Sequence, residues 1–159
     1  MKKLQNRSEG FTIIELLIVL AIAALIILVV LIAVPQLQRN QRNQARQSIA
    51  GRIVTEVNNY SGNNNGTLPT ANADATTGFS GGFSTRYLGN VNINDPQTGT
   101  PASGSITFTG TPGTTAGNMD YTTNRICDGE ISTTTGASAR NFALVTRLEG
   151  GATYCLDNS

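Results

Sequence analysis

From Phe11 to Val34 the chain runs 24 residues with Thr12 and Glu15 as its only polar side chains. At the α-helical rise this is about 36 Å of helix, enough to cross the hydrocarbon core of a bilayer. The run passes the length at which a membrane span is read in preference to the core helix of a soluble domain. An ordinary secretory signal is the other competing reading, because Lys2, Lys3 and Arg7 precede the run and Ala21-Ile22-Ala23 resembles a small-residue cleavage site. However, the apolar stretch continues eleven residues past Ala23. Cleavage there would leave a greasy, unshielded N-terminus.

The remainder of the chain is of opposite character. Thr, Gly, Asn and Ser fill 53 of the 99 positions from 61 to 159. The sequence therefore divides into an apolar stalk and a polar head. With 11 Lys+Arg against 10 Asp+Glu the net charge is +1, which excludes nucleic-acid binding driven by bulk charge. The chain has no histidine, so Ser-His-Asp triads, Cys-His pairs and His-ligated metals are excluded.

Glu15 is costly where it stands. A carboxylate at mid-bilayer costs about 2.5–3.5 kcal/mol on insertion scales, and less near the edge, so a partner is expected. Glu15 is four residues from Phe11 and would share its helical face. A cut between Gly10 and Phe11 would create an α-amine able to pair with Glu15 of the same or a neighbouring chain.

Gly10-Phe11-Thr12-Ile13-Ile14-Glu15-Leu16 after a short basic leader resembles the class III signal of type IV pilins and pseudopilins. The short leader and the phenylalanine after glycine look like the type IVa branch. The resemblance implies removal of residues 1–10 by a prepilin peptidase cutting between Gly10 and Phe11. It implies N-methylation of Phe11 by the same enzyme, and pairing of Glu15 with the N-terminus of an adjacent subunit during assembly. It also implies an assembly machinery with an inner-membrane platform. Two departures stand out: Pro35 lies about three places later than the proline usual in the family, and Ala24 occupies the place of a common glycine.

Pro35 removes one backbone hydrogen bond and crowds the carbonyl four residues back, so the helix is expected to kink or open locally near residues 31–35 without ending. An apolar stripe then resumes at Leu37, Ala45, Ile49, Ile53, Val57 and Tyr60, and Asn58, Asn59, Ser61 and Gly62 supply a stop. One helix is expected over 11–60, its part 11–34 serving as transmembrane and polymerisation segment. Arg39, Arg42 and Arg46 share one face with no acid between Arg39 and Arg52. They are expected to meet lipid phosphates at the interface or, in a filament, acids on neighbouring heads. The head carries four Arg against seven acids, a net −3.

In the head, 61–101 is rich in turn signals, with short extended pieces expected at Tyr87-Leu88 and Val91-Asn92-Ile93. Ser105-Ile106-Thr107-Phe108-Thr109 alternates as a strand does, and further strands are expected at 119–126, 141–148 and 152–156, with Glu149-Gly150-Gly151 as a hairpin turn. Three or four short antiparallel strands laid on the apolar stripe make an α+β domain, pilin-like in its ladle outline.

Cys127 and Cys155 are the only cysteines. Two thiols without histidine lack ligands for a metal, and a redox CxxC is missing. A disulfide between them would close a 29-residue loop and places the head in an oxidising compartment, hence the N-terminus in the cytoplasm and the head outside. In the resembling family a similar pair bounds a variable surface region, which implies an exposed, partner-contacting segment over 128–154. Asp120, Asp128 and Glu130 lack the close spacing of a calcium loop and read as a solvated loop.

The expected protein is a membrane-inserted precursor of a helical homo-oligomeric filament, extracellular once assembled, with no catalytic role, no cofactor and no metal. Motility, adhesion and DNA uptake are the roles such filaments serve, and nucleic acid enters only as a filament-level activity. A pseudopilin or minor pilin of a secretion or DNA-uptake system is the alternative within this architecture. A monomeric single-pass anchored binding protein is the alternative from another class.

Overall fold

The computed structural model describes residues 10–71, 78–89, 93–100, 106–110 and 113–159. The leader cations Lys2, Lys3 and Arg7, the extended piece expected at Val91-Asn92, and Ser105 lie outside the described residues. The chain divides into two compact units, the second beginning at Arg39.

The long helix α1 spans Ile13–Asn63, with Pro35 inside it. The helix does not end at Pro35, as expected, and helical backbone is unbroken over residues 31–35, where the sequence leads one to expect a kink or a local opening. The helix is the economical choice for so apolar a run, because it satisfies every peptide group within the segment. It ends where the backbone N–H of Gly66 closes on the Ser61 carbonyl at 2.8 Å and Asn65 turns to φ 54°.

In the first unit, the large apolar side chains of the helix are all exposed, from Ile13 at 81% to Val34 at 41%. In the second unit the buried face of α1 is Arg46, Ile49, Ala50, Ile53 and Val57. That is helical spacing, and it retains the expected Ile49, Ile53 and Val57. Tyr60 packs partly buried against the same core, whereas Leu37 is exposed.

A four-stranded sheet has the order β1-β2-β5-β6, from β1 (Ile106–Thr107), β2 (Met119–Thr123), β5 (Phe142–Arg147) and β6 (Thr153–Asp157). A hairpin of β3 (Ile126–Asp128) and β4 (Ile131–Thr133) packs against β5 and β6. The fold is thus α+β, a long N-terminal helix followed by a small mixed sheet.

Four further details depart from the sequence reading. β1 runs parallel to β2, Ile106 opposite Met119 and Thr107 opposite Asp120, so the sheet is not purely antiparallel. Alternation fixes which face a side chain takes and carries no information on strand direction. The stretch 119–126 breaks at Asn124, at φ 57°, whose N–H donates to the Asn141 carbonyl at 2.8 Å; its end joins the separate hairpin. Tyr87 and Leu88 are not extended: Gly81–Phe83 forms a helical turn continuing into a π-helical turn over Ser84–Leu88, which lets Phe83 and Leu88 both bury. The disulfide-bounded segment is not an exposed loop throughout, because β5 lies within it and Phe142–Thr146 are buried.

The core compensates for a head poor in apolar residues by concentrating aromatics. Phe79 meets Phe83, Tyr121 and Phe108 edge-on at centroid distances of 4.6, 4.9 and 5.4 Å. Such contacts add to the large area each ring buries. Sheet side chains Met119, Tyr121, Phe142 and Leu144 join them beneath Ile49, Ile53 and Val57. Cys127 and Cys155 form a disulfide with Cα atoms 5.8 Å apart, tying β3 to β6.

Candidate functional site

The first candidate is the start of α1. Gly10 and Phe11 precede the helix, exposed, with Phe11 at 90% and nothing within 4 Å of where a Cβ on Gly10 would stand. Thr12 caps the helix. Its backbone N–H and its hydroxyl both donate to Glu15 Oε2, at 2.9 and 2.8 Å, and the Glu15 N–H donates to Thr12 Oγ1 at 3.3 Å. This reciprocal arrangement is a capping box. It satisfies backbone donors that the first turn otherwise leaves orphaned, and it sets the carboxylate at the positive end of the helix dipole.

Glu15 thus finds its partner in Thr12 of the same chain, while Phe11 lies outside the helix. The signal was available in the sequence as Thr-x-x-Glu heading an apolar run. Among the described residues Glu15 Oε1 accepts no hydrogen bond, so one carboxylate oxygen remains open to another donor.

The second feature is a polar cluster under the exposed part of the second unit. Arg46 is 0% exposed and is the largest fully buried side chain. Its guanidinium grips Asp95 through Nε–Oδ2 at 2.7 Å and Nη2–Oδ1 at 3.2 Å, and Nη1 donates to Glu149 Oε1 at 2.8 Å. Arg42 forks onto Glu149 through Nε at 2.6 Å and Nη2 at 2.8 Å. Asn43 closes the cluster, its Oδ1 accepting the Glu149 N–H at 2.9 Å. Asp95 is held in turn by the backbone N–H groups of Gln97 and Thr98 at 2.9 and 3.1 Å. Such forked pairs suit arginine, not lysine, because two parallel donors match two carboxylate oxygens.

Gly117 makes room for the pair. A Cβ there would stand 2.3 Å from Asp95 Oδ2, and its φ of +91° is one that L side chains rarely adopt. Hydrogen bonds from Arg42, with Arg46 adding to them against the opposing effect of burial, hold the Glu149 carboxyl down from 4.5 to about 2. Burial acts to raise the Asp95 carboxyl, but the hydrogen bonds from Arg46, Gln97 and Thr98 outweigh it and hold it below its ordinary value.

Arg42 and Arg46 both pair with acids of their own chain. Asp95 and Glu149 lie 49 and 103 residues from Arg46, so no local pattern announces them. Arg39 is exposed and has no ion-pair partner among the described residues. Burial drives the Tyr121 phenol upward in pKa.

Among the described residues, one helix is long and apolar enough to cross a membrane, near the N-terminus. No group of three or more His, Cys, Asp or Glu side chains among them could hold a metal ion. The helix α1 leads into an α+β unit in which a disulfide joins two strands. The start of the chain carries a type IV pilin or pseudopilin signal: residues 5–31 match the family described as the prokaryotic N-terminal methylation motif. No curated protein and no solved structure gives a significant match to the chain.

Proposed function

We propose that this chain is the precursor of a filament subunit of the type IV pilin class. The observation that carries the reading is the methylation motif over residues 5–31, heading a helix whose apolar side chains have no cover in their own unit. An apolar surface of this extent has to be placed in lipid or against copies of itself. In the proposed sequence, the helix first anchors the chain, with its N-terminus cytoplasmic and the Arg39–Ser159 unit outside. A prepilin peptidase then cuts between Gly10 and Phe11 and methylates the new amine. Assembly packs residues 11–34 of many copies together, with local opening near Pro35.

Glu15 acts twice in this scheme. Its bonds to Thr12 lower the cost of carrying a carboxylate in an apolar segment, and its second oxygen receives the Phe11 amine of a neighbour, setting axial register. Arg39 is the arginine left for lipid phosphates or for an acid on a neighbouring subunit. The Cys127–Cys155 bridge favours a pilin over a pseudopilin.

Intact mass of protein sheared from cells tests the proposal. A chain beginning at Phe11, heavier by one methyl and lighter by the two hydrogens of the disulfide, is the expected result. A chain that begins at Met1 and stays with the membrane would make this a monomeric anchored protein. Glu15→Ala is expected to be processed yet to yield few filaments, read by immunoblot of sheared and membrane fractions. Normal filament yield from that variant removes the register role.

A further inference from the structure

We propose that the tip of the β3–β4 hairpin docks into the recess beside Arg39 of a second copy of this chain. The contact rests on the filament reading and deepens it, since it sets the register between the Arg39–Ser159 units of neighbouring copies. Two features of one unit meet in it: an exposed tip that is both acidic and apolar, and a recess that holds a surplus cation.

The tip is built to project. Asp128 pairs with Ile131, so the turn consists of Gly129 and Glu130 alone. Gly129, at φ 65°, takes the first central position, where two-residue hairpin turns favour glycine. Asp128 and Ile131 stand directly opposite each other and share one face of the hairpin, while Cys127 and Ser132 take the other. The disulfide turns the Cys127 face toward β6, so Asp128 and Ile131 face away from their own unit. Ile131 is 61% exposed, and among the described residues it is the one large apolar side chain exposed in that unit. Of the described carboxylates in the head, Asp95 and Glu149 hold arginines, and Asp120 and Asp157 accept hydrogen bonds. Asp128 and Glu130 are left, both exposed and without a partner among the described residues. The base of the tip is tied twice, by the disulfide and by the Cys127 N–H donating to Asp157 Oδ2, which lowers the ordering cost of a contact.

The recess has a volume of about 550 Å³, and its walls include Arg39, Thr98, Ala116, Leu148 and Gly150. Leu148 and Ala116 suit an isoleucine, and the Arg39 guanidinium suits a carboxylate. Arg39, Arg42 and Arg46 face two carboxylates here, Asp95 and Glu149, so one positive charge is left over, and it stands on Arg39. No ion pair joins Arg39 to Asp128 or Glu130 within the chain. Tip and recess are therefore unlike patches of one unit, each left open by its own fold. A contact between unlike patches propagates from copy to copy and generates a ring or a helix. Arg39 follows Val34 by five residues on the same helix, so packing of residues 11–34 among copies draws it toward its neighbours. Charge complementarity selects the partner and fixes the register, and the isoleucine adds buried apolar area.

The test expresses full-chain variants in the source cells and compares sheared filaments with the membrane fraction by immunoblot. Arg39→Glu, and separately Asp128→Arg with Glu130→Arg, are each expected to lower the sheared yield roughly tenfold, because like charges then meet in the contact. Combining the three substitutions mirrors the charges and is expected to restore the yield to within about twofold of wild type. Ile131→Ser is expected to lower the yield about threefold and to leave the melting temperature in detergent unchanged, since the side chain has little cover in its own unit. Arg86 and Arg140 are exposed and lie outside the recess, so Arg86→Glu and Arg140→Glu serve as controls. Should Arg39→Glu fold poorly, Ile131→Ser and the tip reversal carry the test. Normal yield from the tip reversal overturns the contact. So does a combination that fails to recover, the result expected if Arg39 serves a lipid phosphate. Recovery of the tip reversal by Arg86→Glu or Arg140→Glu in place of Arg39→Glu puts the tip elsewhere and overturns it as well. A wild-type chain that yields no filament overturns the filament reading and this contact with it, whereas wild-type filaments indifferent to every variant overturn the contact alone.

Discussion

Arg46→Ala is expected to destabilise the Arg39–Ser159 unit by about 3–5 kcal/mol, the usual cost of removing one partner from a buried ion pair. The arginine is wholly buried, so its loss strands Asp95 in a low-dielectric pocket without its two guanidinium bonds. It also removes one of two arginines from Glu149 and leaves a cavity where the largest buried side chain stood. Arg46→Lys is expected to recover only part of the loss, since an ammonium cannot reproduce the fork onto Asp95. Urea denaturation of the full chain in detergent, followed by circular dichroism, reads the change. A loss below about 1 kcal/mol would mean that Asp95 escapes to solvent when its partner goes.

The same cluster sets a pH dependence with a definite sign. Asp95 and Glu149 are both held below their ordinary values, Glu149 at about 2 against 4.5. In that window the unfolded chain binds more protons than the folded one. The contribution is therefore fully present above the ordinary carboxyl range and lost as the pH falls through the folded value of Glu149. Wild-type protein is expected to lose stability between about pH 5 and pH 2, and Glu149→Gln to lose less over the same interval. Equal losses in both would place the acid sensitivity elsewhere.

Removing the Cys127–Cys155 bridge as the double serine variant is expected to cost about 3.5 kcal/mol, on the chain-entropy account of a 29-residue closed loop. For a unit of this size that corresponds to a melting temperature lower by roughly 10–15 °C. The location of the bond makes the effect more than local. The closed loop contains β4 and the central strand β5, and the bond joins the β3–β4 hairpin to β6. In the oxidised unfolded chain β3 therefore starts near β6. In the serine variant the β3–β4 hairpin has to find β6 across an open chain of more than twenty residues. Differential scanning calorimetry of both proteins in the same detergent measures the shift. A change of less than about 3 °C would show that the hairpin retains its place without the bond.

By itself the sequence determined the parts whose signals are local. The apolar run, the helix through Pro35, the stripe at Ile49, Ile53 and Val57, the main strands and the Cys127–Cys155 pairing can each be read from composition, from a period of 3.6 or 2, or from there being two cysteines. The Thr12–Glu15 box belongs with them, since its spacing of three is written in the chain, although the pairing first expected for Glu15 was with an amine.

Only the tertiary structure decided the partners of the arginines and the direction of β1. Arg39, Arg42 and Arg46 look alike in sequence, three cations on one helical face. Folding brings Asp95 and Glu149 to two of them from loops far along the chain, and leaves Arg39 exposed. Likewise the alternation over Ile106–Thr109 is the same whichever way the strand runs. Periodicity records which face of an element avoids water, and that is a property of neighbouring residues. Ion pairing and strand direction depend on which distant segments meet, and no window of the sequence contains both members of such a pair.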